Sequence, residues 1–207
     1  MGTSVSGCIE AGLRHREGGV RWTVIEELSV IGHYDMFGCL FGVKNYANFR
    51  PVAPDRGIPE DVSGEVKRRV AEILTWAEPD SADFHSATWI SWAEIKAIDW
   101  REEGLEADSR LHRYQRTEDG TLVYEGKSAW SGELAEAMGM DLTEAILYKL
   151  VLPDGFEFEL GERVYRAEKL QRKDVLNPEW MDVFKNMESL AAKYGDELVR
   201  LVVWFDS

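Results

Sequence analysis

Glu197-Leu198-Val199-Arg200-Leu201-Val202-Val203-Trp204-Phe205 is an almost unbroken apolar run of strand-forming residues. A strand apolar on both faces is buried on both faces, so this run predicts a central strand of a sheet. Just before it, Asn177 predicts a helix cap with Pro178 at the first helical position. Trp180, Val183, Phe184, Met187, Leu190 and Ala191 then recur at helical spacing, and Gly195 ends the helix. One long amphipathic helix followed by one buried strand sets the frame for the rest of the chain.

Working outward, residues 3–11 and 20–26 alternate as two arms of a hairpin around Gly18-Gly19. Residues His33 to Val43 are apolar but interrupted by glycine, which predicts backbone packed closely against a neighbour. Ser63 predicts a cap for a helix running to about Ala77, because Val66, Val70, Ile73, Leu74 and Ala77 form one stripe. Ser91-x-x-Glu94 matches a capping box and starts another helix. Residues 101–110 read as a polar surface loop. Arg110 to Tyr124 reads as a second hairpin around Asp119-Gly120, Gly132 to Met138 as a short helix, and Val164 to Leu170 as a strand. Pro153-Asp154-Gly155 is a turn. Leu142 to Leu152 fits helix and strand periods equally. The expectation is a single α+β domain over residues 1–207, with a mostly antiparallel or mixed sheet and two or three packed helices.

The 207 residues include 44% hydrophobic and 30% charged side chains, which are globular values. No run reaches the ~20 apolar residues of a membrane span, and the first residues lack the regions of a signal peptide. A cytoplasmic protein without membrane partners is the expectation. Cys8 and Cys39 are too few for a zinc site and read as buried thiols. A net charge of −14 argues against binding long nucleic acids, which depends on neutralising many phosphates. It leaves room for a small anion, because distant charges are screened beyond ~10 Å. Eight tryptophans and the glycine-rich Phe37–Val43 segment exceed what a modest core needs, which predicts a homo-oligomer.

Two segments concentrate chemistry. Asn45 to Pro59 packs three prolines, two arginines, two asparagines and two aromatics into fifteen residues. Proline excludes helix and interior strand, so this is a long ordered loop. Arg50 and Arg56 suit phosphate, Tyr46 and Phe49 suit stacking, and the amides, Asn45 among them, suit base or sugar edges; Asp55 is a further candidate ligand contact. The alternative is a connector whose arginines face solvent. The second segment, Asp83 to Trp92, reads as a loop leading into a helix start, where free N–H groups favour anions. His85, Ser86 and Thr88 add hydrogen-bonding groups and Trp89 a stacking face; packed tryptophans and a simple cap are the alternative. An Arg110, His112, Tyr114, Arg116 strand face reads as a solvated surface. No nucleophile-elbow, zinc-protease, phosphate-loop or dinucleotide motif occurs, and no cofactor or metal site is indicated.

The order Tyr34-Asp35-x-Phe37, Gly42-Val43-x-Asn45, Pro54-x-Arg56-Gly57-x-Pro59, His85-Ser86-x-x-Trp89 and the terminal Val199 to Asp206 resembles an uncharacterised family of small phage and actinobacterial proteins. It covers nearly the whole chain. The family often shows a second histidine where this chain has Ala87, so no two-histidine site is implied here. The phage setting implies, by analogy, a viral sponge that sequesters a cyclic-nucleotide or ADP-ribose-type immune signal.

Three functions therefore stand as expectations. The first is non-enzymatic binding of a nucleotide-derived anionic small molecule in one pocket walled by both segments. The second is a hydrolase or transferase on such a ligand, with His85 as acid–base and Asp55 or Asp35 as its partner. The third is an interaction module whose aromatics anchor a protein partner.

Overall fold

The computed structural model describes residues 2–16, 18–28, 32–76, 84–143 and 151–206. In chain order the elements are β1 (Ser4–Arg14), β2 (Val20–Glu27), α1 (Tyr34–Phe41), α2 (Gly64–Trp76), β3 (His85–Ser91) and α3 (Trp92–Lys96). They continue with β4 (Leu111–Arg116), β5 (Leu122–Ser128), α4 (Gly132–Ala137), β6 (Glu157–Leu160), β7 (Arg163–Arg166), α5 (Pro178–Tyr194) and β8 (Val199–Asp206). The class is α+β, built on two four-stranded antiparallel sheets. No helix among the described residues is long and apolar enough to cross a membrane.

The chain divides into two compact units: Met1–Lys44, Pro51–Asp99 and Leu176–Ser207 form the first, and Asn45–Arg50 with Trp100–Val175 the second. In the first, the sheet order is β2-β1-β8-β3, so the apolar β8 lies in the interior, as its composition predicts. Its odd-numbered side chains face aromatics of α1 and α5. Phe205 packs edge-on against Phe37 and Phe41, and both of those rings meet Trp180. Val202 and Trp204 face the other way, into a cluster with Cys8, Val62, Val66 and Ala87 beneath α2. Gly7 on β1 is required by this close packing, since a Cβ there would lie 2.2 Å from the Val202 carbonyl oxygen.

The caps are those the sequence announces. Asn177 accepts from Trp180 N–H, Ser63 Oγ accepts from Val66 N–H, and Ser91 with Glu94 completes a capping box. Two segments of the first unit differ from expectation. Residues 34–41 are helical, and Gly42 ends the helix in a left-handed conformation. His85 to Ser91 is a strand rather than a loop, and Ser91 then caps α3 directly.

The second unit has sheet order β5-β4-β7-β6. β4 and β5 form the expected hairpin, closed by Thr117 N–H donating to the Thr121 carbonyl, with Gly120 at positive φ. Leu111, Leu134, Leu152, Tyr165 and Ala167 form its core. The strand expected over 164–170 ends at Arg166. Most of the ambiguous Leu142–Leu152 stretch lies outside the described residues.

Candidate functional site

β3 is an edge strand, and an uncovered edge offers unpaired N–H and C=O groups to any passing chain. Here the segment Pro51 to Gly57 covers it. Gly57 N–H donates to the Ala87 carbonyl at 2.8 Å, and Arg56 N–H to Thr88 Oγ1 at 3.3 Å. The Thr88 hydroxyl in turn donates to the Ala53 carbonyl at 2.6 Å. The Pro51–Gly57 part of the first chemistry-rich segment is therefore a neighbour of the second, joined to it through backbone and one buried threonine.

Their juxtaposition forms a groove of about 490 Å³ lined by Phe41, Lys44, Pro51, Pro54, Asp55, His85 and Ser86. Lys44, Asp55 and Ser86 adopt φ of 51°, 43° and 50°, a left-handed conformation that non-glycine residues rarely hold. Only Asn48, among the other described non-glycine residues, does so. For Ser86 the cause is local. The β3–β8 register shifts between His85 and Thr88, a bulge that takes up the extra residue. The bulge brings Ser86 Oγ to 3.0 Å from His85 Nδ1, while the imidazole lies nearly parallel to Phe205. The groove thus combines a cation, a carboxylate, an imidazole–hydroxyl pair and an apolar wall.

Of the ten residues expected in one pocket, this groove holds Asp55, His85 and Ser86. Arg56 is committed elsewhere: its fork grips Glu94 at 2.7 and 3.1 Å, and its guanidinium stacks 5.1 Å from the Trp89 ring. Burial raises the Glu94 carboxyl, but hydrogen bonds from Arg56 and Ser91 outweigh this and hold it below its usual value. Thr88 is fully buried and serves the loop. Trp89 pairs with Val202 and so lies on the α2 face of the sheet, opposite to His85. Asn45, Tyr46, Phe49 and Arg50 belong to the second unit. Asn45 brackets Phe49 with two hydrogen bonds, and Phe49 is buried with Arg172 5.7 Å above its ring. Tyr46 stacks under Arg110, and the Arg50 carbonyl accepts from Arg172 Nη2. Phe49 and Tyr46 are thus packed against arginines of their own unit.

Sequence reasoning missed two features. Lys44 drew no notice, although Gly42-Val43-Lys44 after a glycine-capped helix places it at a turn. The other is a buried charge cluster in the second unit. Asp108, whose side chain has no exposure, pairs with Arg110 at 2.7 Å and Lys127 at 2.9 Å. His112 is buried rather than solvated, with Nδ1 3.1 Å from Glu168, which also accepts from the Tyr114 hydroxyl. Its Nε2 stands 3.8 Å from Asp108, too far for a hydrogen bond, and acts there through proximity alone. Burial would raise the Asp108 carboxyl, but His112, Arg110 and Lys127 together hold it well below the carboxylate range. Burial and Glu168 push the Tyr114 hydroxyl up to about 12. No group of three or more metal-ligating side chains converges among the described residues.

Comparison with protein-family models, curated proteins and solved structures finds no match. The function rests on the geometry.

Proposed function

We propose that this protein binds a nucleotide-derived anionic small molecule in the Lys44–His85 groove and holds it without turning it over. One observation carries the reading: three non-glycine residues in left-handed conformations, Lys44, Asp55 and Ser86, surround the same groove. Such backbone costs on the order of 1–3 kcal/mol per residue and persists where the surroundings hold it, often at ligand sites. A volume near 490 Å³ lies in the range of small-molecule pockets. Lys44 supplies the cation for a phosphate, the His85–Ser86 pair offers hydrogen bonds, and Phe41, Pro51 and Pro54 give a flat apolar wall. Sequestration of a nucleotide signal, in the manner of viral sponges, is the role this reading suggests.

A second reading has an observation of its own. The 3.0 Å contact between His85 Nδ1 and Ser86 Oγ, with Asp55 in the same groove, is a set from which a hydrolase could be built. Binding is favoured because the pair are sequence neighbours joined by a bulge. The fold has not brought a base to a distant nucleophile.

Incubation with a nucleotide panel, followed by heat release and chromatography, separates the two. We expect the ligand to return intact and Lys44→Ala to weaken its binding about tenfold or more. A new product that disappears in His85→Ala overturns the binding reading in favour of the hydrolase.

A further inference from the structure

A second groove, of about 590 Å³, opens on the opposite face of the same sheet. It is lined by Trp22, Asp61, Trp89, Glu94, Glu197 and Arg200 among others. Arg200 on β8 sits directly across from Glu10 on β1 and Ser91 on β3. Its Nε donates to Glu10 and its Nη1 to Asp61, at 2.9 and 2.8 Å. Its Cζ lies 3.7 Å from the Trp22 ring centroid and 5.9 Å from that of Trp89. The side chain is only 4% exposed, yet Nη2 has no hydrogen-bond partner. A buried guanidinium donor left unmet is costly, which makes this nitrogen the point to explain.

The surroundings restrict what meets it. The lining carries three carboxylates, Asp61, Glu94 and Glu197, against the one guanidinium of Arg200, so the groove is acidic. Glu94 is saturated by Arg56 and Ser91, whereas Glu197 is exposed and forms no ion pair among the described residues. A phosphate would satisfy Nη2 but meet the carboxylates. A quaternary ammonium would suit the carboxylates and indoles but leave Nη2 unmet. A planar ring with a carbonyl next to N–H groups answers all three: carbonyl to Nη2, N–H edge to Glu197, ring face against an indole.

We propose that this groove is a binding site for an oxopurine base of the guanine type, separate from the Lys44 groove. Arg200 Nη2 donates to the ring carbonyl, Glu197 accepts from the adjacent ring N–H and amino group, and Trp89 stacks on the base. Nη2 is covered, so the ring must part the half-exposed indoles to reach it, which makes tryptophan fluorescence a direct reporter.

The probe is guanosine, titrated into the full chain by fluorescence and calorimetry, with adenosine and tetramethylammonium in parallel. Guanosine is expected to bind at least tenfold more tightly than adenosine, whose ring has an amino group in place of the carbonyl. Glu197→Gln, an exposed substitution that spares the fold, is expected to lower guanosine affinity tenfold or more, and Trp89→Leu to lower it with loss of quenching. Lys44→Ala is expected to bind guanosine normally. Equal binding of both nucleosides, preference for tetramethylammonium, no binding of guanosine, or loss of binding in Lys44→Ala each overturns the proposal.

Discussion

Asp108 is an aspartate without solvent exposure, set among Arg110, Lys127 and His112. Its carboxyl is depressed in the folded state, so the stabilisation it brings is present above the ordinary aspartate range near pH 4. That stabilisation is lost as pH falls toward the lower folded value, because the unfolded chain then takes up the proton first. Asp108→Ala removes a fully buried carboxylate from between two partly buried cations and is expected to cost up to about 3–5 kcal/mol in denaturant unfolding near neutral pH, a loss that narrows in acid. A pH-independent difference would mean that Asp108 acts through packing rather than charge. Arg56 poses the reverse case. It looks like a phosphate ligand in sequence, but Glu94, thirty-eight positions on, already fills its fork. Arg56→Ala is therefore expected to lower stability by roughly 0.5–1.5 kcal/mol and leave ligand affinity in the Lys44 groove within about twofold. A tenfold loss of affinity at unchanged melting temperature would restore Arg56 to the site. The residue types of a site are visible in a sequence, whereas the partners that use them up are not. His112 shows the same limit, since its carboxylate partner Glu168 comes from beyond β7.

At the level of elements, the legible parts are those fixed by neighbours along the chain. The caps of α2, α3 and α5, both hairpins and the buried β8 follow from spacing within one turn or one strand. The short strand β6 is not announced by the sequence, and two further elements escaped. The helix α1 carries Gly38 and ends at Gly42, so glycine masked its period, and β3 is short, rich in hydroxyls and broken by a bulge. Both are held by tertiary contacts: α1 by the rings of Trp180 and Phe205, β3 by β8 on one side and the proline loop on the other. The loop's prolines now have a structural reason. They keep the bent segment beside β3 out of helix and strand while offering no donors that would continue the sheet. Thr88 is the pin of this arrangement. Thr88→Val keeps the shape but removes the hydroxyl that serves the Ala53 carbonyl and the Arg56 N–H. A loss of about 1–3 kcal/mol is expected, with faster hydrogen exchange at the Gly57 amide, which donates to Ala87. Unchanged Gly57 protection would show that the loop is held without its threonine.

For the whole molecule, the net charge of −14 and the two edges of the first sheet set its behaviour toward other macromolecules. The charge repels long polyanions, so no gel shift with duplex DNA or RNA is expected at physiological salt; a shift that vanishes with added salt would reveal a basic stripe that composition hides. Self-association is a separate matter. The loop covers the β3 edge, but the opposite edge strand, β2, pairs only with β1 among the described strands. Ile25 on β2 and Leu13 on β1 are large apolar side chains more than two-fifths exposed. An uncovered edge is a template for a second copy, antiparallel to the first, and the pairing is isologous when the same strand meets itself. Opposing this, Arg21, Glu26 and Glu27 place charges along β2, and edge charges of this kind discourage pairing. The like-charged Glu26 and Glu27 hold partners in Asn186 and Arg69, which lessens their repulsion of a neighbour. We therefore expect a dimer by light scattering at micromolar concentration. Ile25→Lys places a new cation on the edge without touching the core, and is expected to leave a folded monomer. A wild-type monomer at that concentration, or a dimer that Ile25→Lys does not weaken, would remove β2 as the contact.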